Sequence, residues 1–238
     1  MRVSDRAAGH SRRGSPLRIT RREFCHGAAK LALLGTVIAS GVRSNAFGLV
    51  SDALAQAPSN EELMAPGPLG EQAEGKADAP VTVIEYASMT CSHCASFAVN
   101  VYPMLKSKYI ETGKVRYIMR EFPLDPLAAA GFMLARCAGE GKYFPMVETL
   151  FQKQKDWVVQ KPLEPLLAIA KQAGFTQQTF EECLANQKVL DGIDAVRQRA
   201  SEKFGVNATP TFFINGKIQR GEMTAEELEK QIQSYLKS

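Results

Sequence analysis

A chain of 238 residues, 45% hydrophobic and 23% charged, holds enough material for one domain with a full core or two small ones, at the composition of an ordinary globular protein. The formal charge of +4 is uneven: residues 1–57 carry nine Lys/Arg against three acids, leaving 20 bases and 22 acids in the rest. A mildly acidic body behind a basic leader lacks the electrostatic footprint of a nucleic-acid-binding protein, and that class is excluded.

Arg21 and Arg22 stand before an apolar run from Ala28 to Val42 that is broken only by Lys30, Gly, Ser and Thr. At about 15 residues the run is short for a bilayer span and suits the apolar core of a signal peptide. The string Thr20-Arg21-Arg22-Glu23-Phe24 resembles the twin-arginine export signal. Ala53-Leu54-Ala55 and Ala55-Gln56-Ala57 offer small residues at the spacing a signal peptidase needs. Residues 1–57 therefore read as a leader, cleaved or kept as a membrane anchor. Either way the remainder is expected outside the cytoplasm.

Residues 58–79 carry Pro, Gly, Glu and Ala without periodicity and read as a linker. Val81 to Tyr86 is a β-branched and apolar run, the pattern of a buried strand, and Cys91 follows closely. Phe97, Val101 and Leu105 then recur at helical spacing, with Pro103 placed to kink the helix. Gly113 closes that unit, and Val115 to Phe122 is a second strand. Asp125-Pro126 reads as an N-cap followed by Pro at the first helical position. From there to about Gly205 the pattern is helical. Leu127, Ala130, Leu134 and Cys137 share one face, Thr176 caps a helix carrying Phe180, Cys183 and Leu184, and a third stretch runs from Val189 to Phe204. Val206 to Ile214 returns to strand, and Asn215-Gly216 is a two-residue hairpin turn. Thr224 with Glu227 makes a capping box for a last helix whose apolar face is Leu228, Ile232, Tyr235 and Leu236. The order predicts an α/β domain over residues 80–238 with an all-helical insertion at about 125–205.

Of the five cysteines, Cys25 falls in the leader. The other four, an even number in a domain expected to be exported, favour disulfides over free thiols. Zinc is the rival, but it would want a second close Cys/His pair, and Cys137 and Cys183 are far apart in sequence. The pair in Cys91-Ser92-His93-Cys94 sits where a strand turns into a helix. The first sulfur then meets unpaired backbone N–H groups and the positive end of the helix dipole. Cys91 is expected to be the exposed, low-pKa nucleophile and Cys94, one turn in, the buried resolving thiol. His93 can hydrogen-bond the thiolate or place positive charge beside it. A stabilised thiolate favours the dithiol, which makes the disulfide oxidising. A structural cross-link or a metal half-site is the alternative for a lone CxxC. Thr209-Pro210 heads the strand Thr211-Phe212-Phe213-Ile214. A Pro there fits either a trans start to an edge strand or a cis bond packed against the cysteines.

These residues together resemble the thioredoxin superfamily, and within it the DsbA branch, over about Pro80 to Leu236. The likeness is carried by Cys91-Ser92-His93-Cys94 after Val83-Ile84-Glu85-Tyr86, by the helical insertion, and by Ala208-Thr209-Pro210-Thr211-Phe212. DsbA proteins usually read Cys-Pro-His-Cys, and Ser92 departs from that. The resemblance implies a thioredoxin fold with an all-helical insertion, and site residues Cys91, Cys94, His93, Thr209, Pro210 and Glu85. The last would be a buried acid that helps proton transfer at the inner cysteine; burial should raise its pKa, and Arg120 is a potential partner. The alternative for Glu85 is an edge-strand acid that reaches solvent. Some DsbA-like proteins carry a further disulfide. Cys137 and Cys183 are either two buried core residues or such a staple, which would stabilise by roughly 2–4 kcal/mol.

The expected activity is periplasmic disulfide donation to reduced, unfolded exported proteins, by a monomer that needs no cofactor or metal. By resemblance, a DsbB-like quinone-linked membrane protein restores the disulfide. The other readings are a disulfide isomerase or reductase, and a non-catalytic thioredoxin-fold chaperone or binding module.

Overall fold

The computed structural model describes residues 58–237. The leader, with its twin-arginine-like string and Cys25, lies outside the described residues. The expected linker is instead folded. Ser59 and Glu62 form a capping box at the start of α1 (Asn60–Met64), and Leu63 on it is fully buried. A three-residue strand, β1 (Gln72–Glu74), follows. Neither shows periodicity because each is too short for one. What holds them is an existing sheet edge and three arginines of later elements, Arg120, Arg136 and Arg199.

β2 (Val81–Ala87) is buried on nearly every residue, as its apolar run requires. It leads into α2 (Ser92–Asn100), which ends at Val101. Pro103 does more than kink this helix. Lacking an N–H, it sits in the first turn of a separate α3 (Tyr102–Leu105), which passes into a π-helical turn at Lys106–Ile110. Gly113 takes φ 75, open to glycine at little cost, and starts β3 (Val115–Glu121).

The insertion comprises α4 (Pro126–Cys137), α5 (Tyr143–Gln152), α6 (Gln154–Trp157), α7 (Leu163–Gln172), α8 (Gln177–Leu184) and α9 (Gln187–Lys203). Asp125 caps α4 by accepting from the Ala128 N–H at 2.8 Å, and Thr176 caps α8. Cys137 and Cys183 are joined in a disulfide, with a Cα–Cα distance of 6.1 Å and 46 residues between them in sequence. It ties the end of α4 to α8.

The expected strand Val206–Ile214 is shortened to β4 (Thr211–Ile214). Residues 206–210 form a loop instead, because the Thr209–Pro210 bond is cis and Pro210 has no N–H for a ladder. Asn215 (φ 45) and Gly216 (φ 81) make the turn into β5 (Lys217–Arg220), with Ile214 opposite Lys217. The chain closes with α10 (Ala225–Leu236), capped by Thr224 and Glu227, with Leu228 and Ile232 buried.

The strands form one sheet in the order β1-β3-β2-β4-β5. β2 and β3 are parallel, and the other pairings are antiparallel. One face packs against α2, α10 and most of the insertion; the other carries a smaller cluster of Leu63, Tyr86, Val196, Phe204 and Phe213. This is a thioredoxin fold with a helical insertion. No helix of the described residues is long and apolar enough to cross a membrane.

Candidate active site

After Ala87 the chain leaves the sheet, and Cys91 becomes the N-cap of α2 at φ −78 and ψ 120. An N-cap side chain faces the free N–H groups of the first turn, so the sulfur accepts from the Cys94 N–H at 3.4 Å. The cis-proline loop, distant in sequence, comes to the same sulfur, and the Thr209 carbonyl lies 3.3 Å from it. Cys91 is half-buried and Cys94 fully buried; both are free thiols.

These surroundings pull the two thiols apart. Cys91 is lowered to about 5. The main cause is donation from the Cys94 thiol; the Thr209 side chain and the backbone N–H groups of Cys94 and His93 add to it, against the opposing effect of burial. The Thr209 carbonyl accepts from the thiol and so favours the protonated form; it is outvoted. The Thr209 hydroxyl is buried with no other hydrogen-bond partner among the described residues. Cys94 is pushed well above the ordinary thiol range, first by burial and then by bonding to Cys91 and the charge of Glu85.

Glu85 lies on β2 with 1% of its surface exposed, and its Oε2 accepts from the Tyr117 hydroxyl at 2.5 Å. Burial raises its pKa to about 8, with the charge of Cys91 adding and the Tyr117 bond opposing. Arg120 is not its partner. Alternation along β3 turns Tyr117 and Met119 toward Glu85 and Arg120 to the other face. There Arg120 pairs with Glu71 at 2.9 Å and donates to the carbonyls of Leu63 and Ala65. That bonding fastens the folded N-terminal segment.

The His93 imidazole is also placed differently from the expectation. Its Nδ1 is 2.9 Å from Glu222 Oε2, and Ser96 donates to the other Glu222 oxygen at 2.7 Å. The sulfur receives the backbone N–H of His93, while the ring is held by an acid from the loop after β5. Both His93 and Glu222 are largely exposed. Gln154, from α6, donates to the carbonyls of Met89 and Cys91 at 2.9 and 3.0 Å. Thr90 donates to Asp125, the α4 cap, at 2.6 Å.

The structure thus gathers Cys91, Cys94, Thr209, Pro210 and Glu85 around one dithiol. It leaves the Cys137–Cys183 bond in the insertion. Three participants escaped the sequence reading: Tyr117, Glu222 and Gln154. Only Tyr117 had a usable signal there, since period-two alternation in Val115–Glu121 puts it on one face with Met119.

The thioredoxin family model matches residues 69–234. Among curated proteins, one of Rickettsia bellii named as a protein-disulfide oxidoreductase is 34% identical over 144 residues, 60% of this chain and 56% of that protein. The chain thus spans little more than half the length of that relative. Among solved structures, α-DsbA1 of Wolbachia pipientis is 34% identical with a TM-score of 0.70, covering 75% of this chain and 97% of that one. BdbD of Bacillus subtilis, at 22% identity and a TM-score of 0.62, covers 76% and 97% and shares the fold.

Proposed function

Since the chain belongs to the thioredoxin family, in its DsbA-like branch, we propose that it is a periplasmic thiol:disulfide oxidoreductase that introduces disulfides into exported proteins through Cys91 and Cys94. One observation carries this reading: a half-exposed sulfur at a helix start lowered to about 5, one turn from a buried thiol pushed the other way.

In the oxidised form, a thiolate of a reduced substrate attacks the Cys91 sulfur. The Cys91–Cys94 bond breaks, Cys94 leaves with the electron pair and takes up a proton, and a mixed disulfide forms. A second substrate thiolate then attacks the substrate sulfur of that bond. The product disulfide departs and Cys91 leaves as a thiolate. Two electrons have moved to the Cys91–Cys94 pair, and a DsbB-like quinone-linked membrane oxidase takes them up again. Cys91 is a good leaving group because its anion is stabilised. Cys94 is a poor one unless protonated, and Glu85, still a carboxylic acid near neutral pH, is the donor on its buried side. Thr209-Pro210 flanks the sulfur where an extended substrate would pair through its backbone.

The test is a redox titration against glutathione together with oxidation of a reduced, denatured multi-thiol protein. We expect the bond to be reduced by mild glutathione buffers and the substrate to acquire disulfides. A bond that survives strongly reducing buffers would exclude the donor role and leave a reductase or an inert cross-link.

Glu85 gives a prediction with a fixed sign. Its folded pKa lies above the unfolded value, so between about pH 4.5 and 8 the unfolded chain releases a proton that the native state keeps, and stability falls as pH rises. Glu85→Gln removes that loss. At pH 7, two and a half pH units above the ordinary carboxyl value, the variant should be more stable by about 3 kcal/mol. At pH 4 the gain should vanish, while turnover slows at pH 7. Equal stability of the two proteins at pH 7 in urea unfolding would show that Glu85 is not held neutral.

A further inference from the structure

Gln154 sits in a one-turn helix far from Cys91 in sequence, yet only 8% of its surface is exposed. Its amide donates twice, to Met89 O at 2.9 Å and to Cys91 O at 3.0 Å. The Cys91 carbonyl also starts the helix ladder, accepting from Ala95 N at 3.1 Å. The Met89 carbonyl has Gln154 as its partner among the described residues. The place of Gln154 is set by deeper packing. Trp157, on the same short helix, is fully buried and donates to Leu150 O at 2.8 Å. Its ring and Met89 both press on Gly131, where an added Cβ would come within 3.0 Å of the Met89 side chain. Gly131 admits both because it has no side chain.

Met89 O and Cys91 O belong to the peptide units on either side of the Thr90–Cys91 peptide, through which the chain enters α2. Fixing both carbonyls fixes ψ at Met89 and at Cys91. The second of these decides where the Cys91 sulfur stands relative to the N–H groups of His93 and Cys94. We infer that Gln154 is a positioning residue: its two hydrogen bonds hold the N-cap geometry that stabilises the Cys91 thiolate, and thereby set how strongly the disulfide oxidises. The helical insertion then contributes chemistry to the active site as well as bulk. This rests on the oxidoreductase reading above.

A purely structural amide would only keep two buried carbonyls satisfied, and its loss would lower stability alone. The two roles separate on readouts that stability does not move. In Gln154→Met, equal in length but with no donor, thiolate absorbance should titrate higher than in wild type, by about half a unit or more, ~3-fold in the ionisation constant. The glutathione equilibrium should shift roughly 3- to 10-fold toward the disulfide, in step with the weaker thiolate. Gln154→Leu likewise removes both donors and adds no charge, so its shift should match that of the methionine variant; it decides the matter if the methionine variant does not fold. A lowered melting temperature with unchanged titration and equilibrium in the folded variant overturns the inference while leaving the oxidoreductase reading intact. A wild-type Cys91 that titrates like free cysteine overturns both.

Discussion

Cys91→Ser is expected to abolish disulfide donation, to below about one thousandth of wild type, because no bond can form at position 94 alone and the attacked sulfur is gone. Cys94→Ser should also lose turnover but fail differently. It keeps the half-exposed Cys91 thiolate and lacks the thiol that resolves a mixed disulfide, so it should accumulate mixed disulfides with glutathione or substrate. Mass spectrometry under non-reducing conditions distinguishes the two.

The wild-type dithiol tests the electrostatics. With Cys91 near 5, the thiolate fraction at pH 6 exceeds that of a free cysteine roughly 300-fold. Intrinsic nucleophilicity falls with basicity, by about 40-fold over that interval. The first effect wins, and alkylation of the wild-type dithiol by iodoacetamide at pH 6 should be about 5- to 10-fold faster than that of free cysteine. Above about pH 7 the order reverses, since more than about one fortieth of free cysteine is by then ionised and its anion is the better nucleophile. An alkylation rate that climbs through pH 8 with no plateau between 5 and 7 would mean that the helix start does not hold an anion. The wild-type protein should keep its activity when the Cys137–Cys183 bond alone is removed, since that bond lies in the insertion away from the dithiol.

What could be read beforehand was local. A strand running into a helix with a cysteine at the junction, the Asn215-Gly216 turn, the Thr224/Glu227 box and the break at Pro103 all depend on residues within one turn of each other. The helical insertion was legible because six successive helices leave a long stretch without period-two patterning. The N-terminal segment was not, because β1 pairs with the edge of β3 and the segment is held by donors from Arg120, Arg136 and Arg199, all far away in sequence. Ser59-Asn60-Glu61-Glu62 carried a capping signal, but no apolar periodicity follows it. Residue type alone makes Arg120 a potential partner of Glu85, whereas strand alternation sends it to the opposite face. Glu222 and His93 stand 129 residues apart, and Gln154 lies in a polar run around α6 that gives no hint of burial. Pairings of this kind arise when the sheet and insertion close on each other, and nothing local encodes them.

That closure has its own electrostatic centre, and it supplies the largest expected effect on stability. Glu121, at the end of β3, is fully buried, and one oxygen accepts from Arg136 Nε at 2.6 Å and from the Tyr143 hydroxyl at 2.9 Å. Arg136 also donates to Leu69 O at 3.0 Å and Gly70 O at 3.2 Å, with its guanidinium 5.3 Å from the centre of the Tyr143 ring. The sheet, α4, α5 and the N-terminal segment thus meet at one ion pair. Removing one member leaves a buried charge without a counter-ion. Arg136→Met should therefore lose about 3–5 kcal/mol, more than the pair itself contributes. Replacing both groups removes the uncompensated charge, so Glu121→Leu combined with Arg136→Met should be more stable than Arg136→Met alone, although it deletes more hydrogen bonds. The comparison needs only urea unfolding of four proteins: wild type, the two single variants and the double variant. If the double variant lost the sum of the two single losses, the pair would be acting as separate contacts and the cost of isolating Glu121 would be absent. A smaller loss in the double variant places that cost on the carboxylate, and identifies Arg136 as what allows an acid to sit at the junction of the sheet with its insertion.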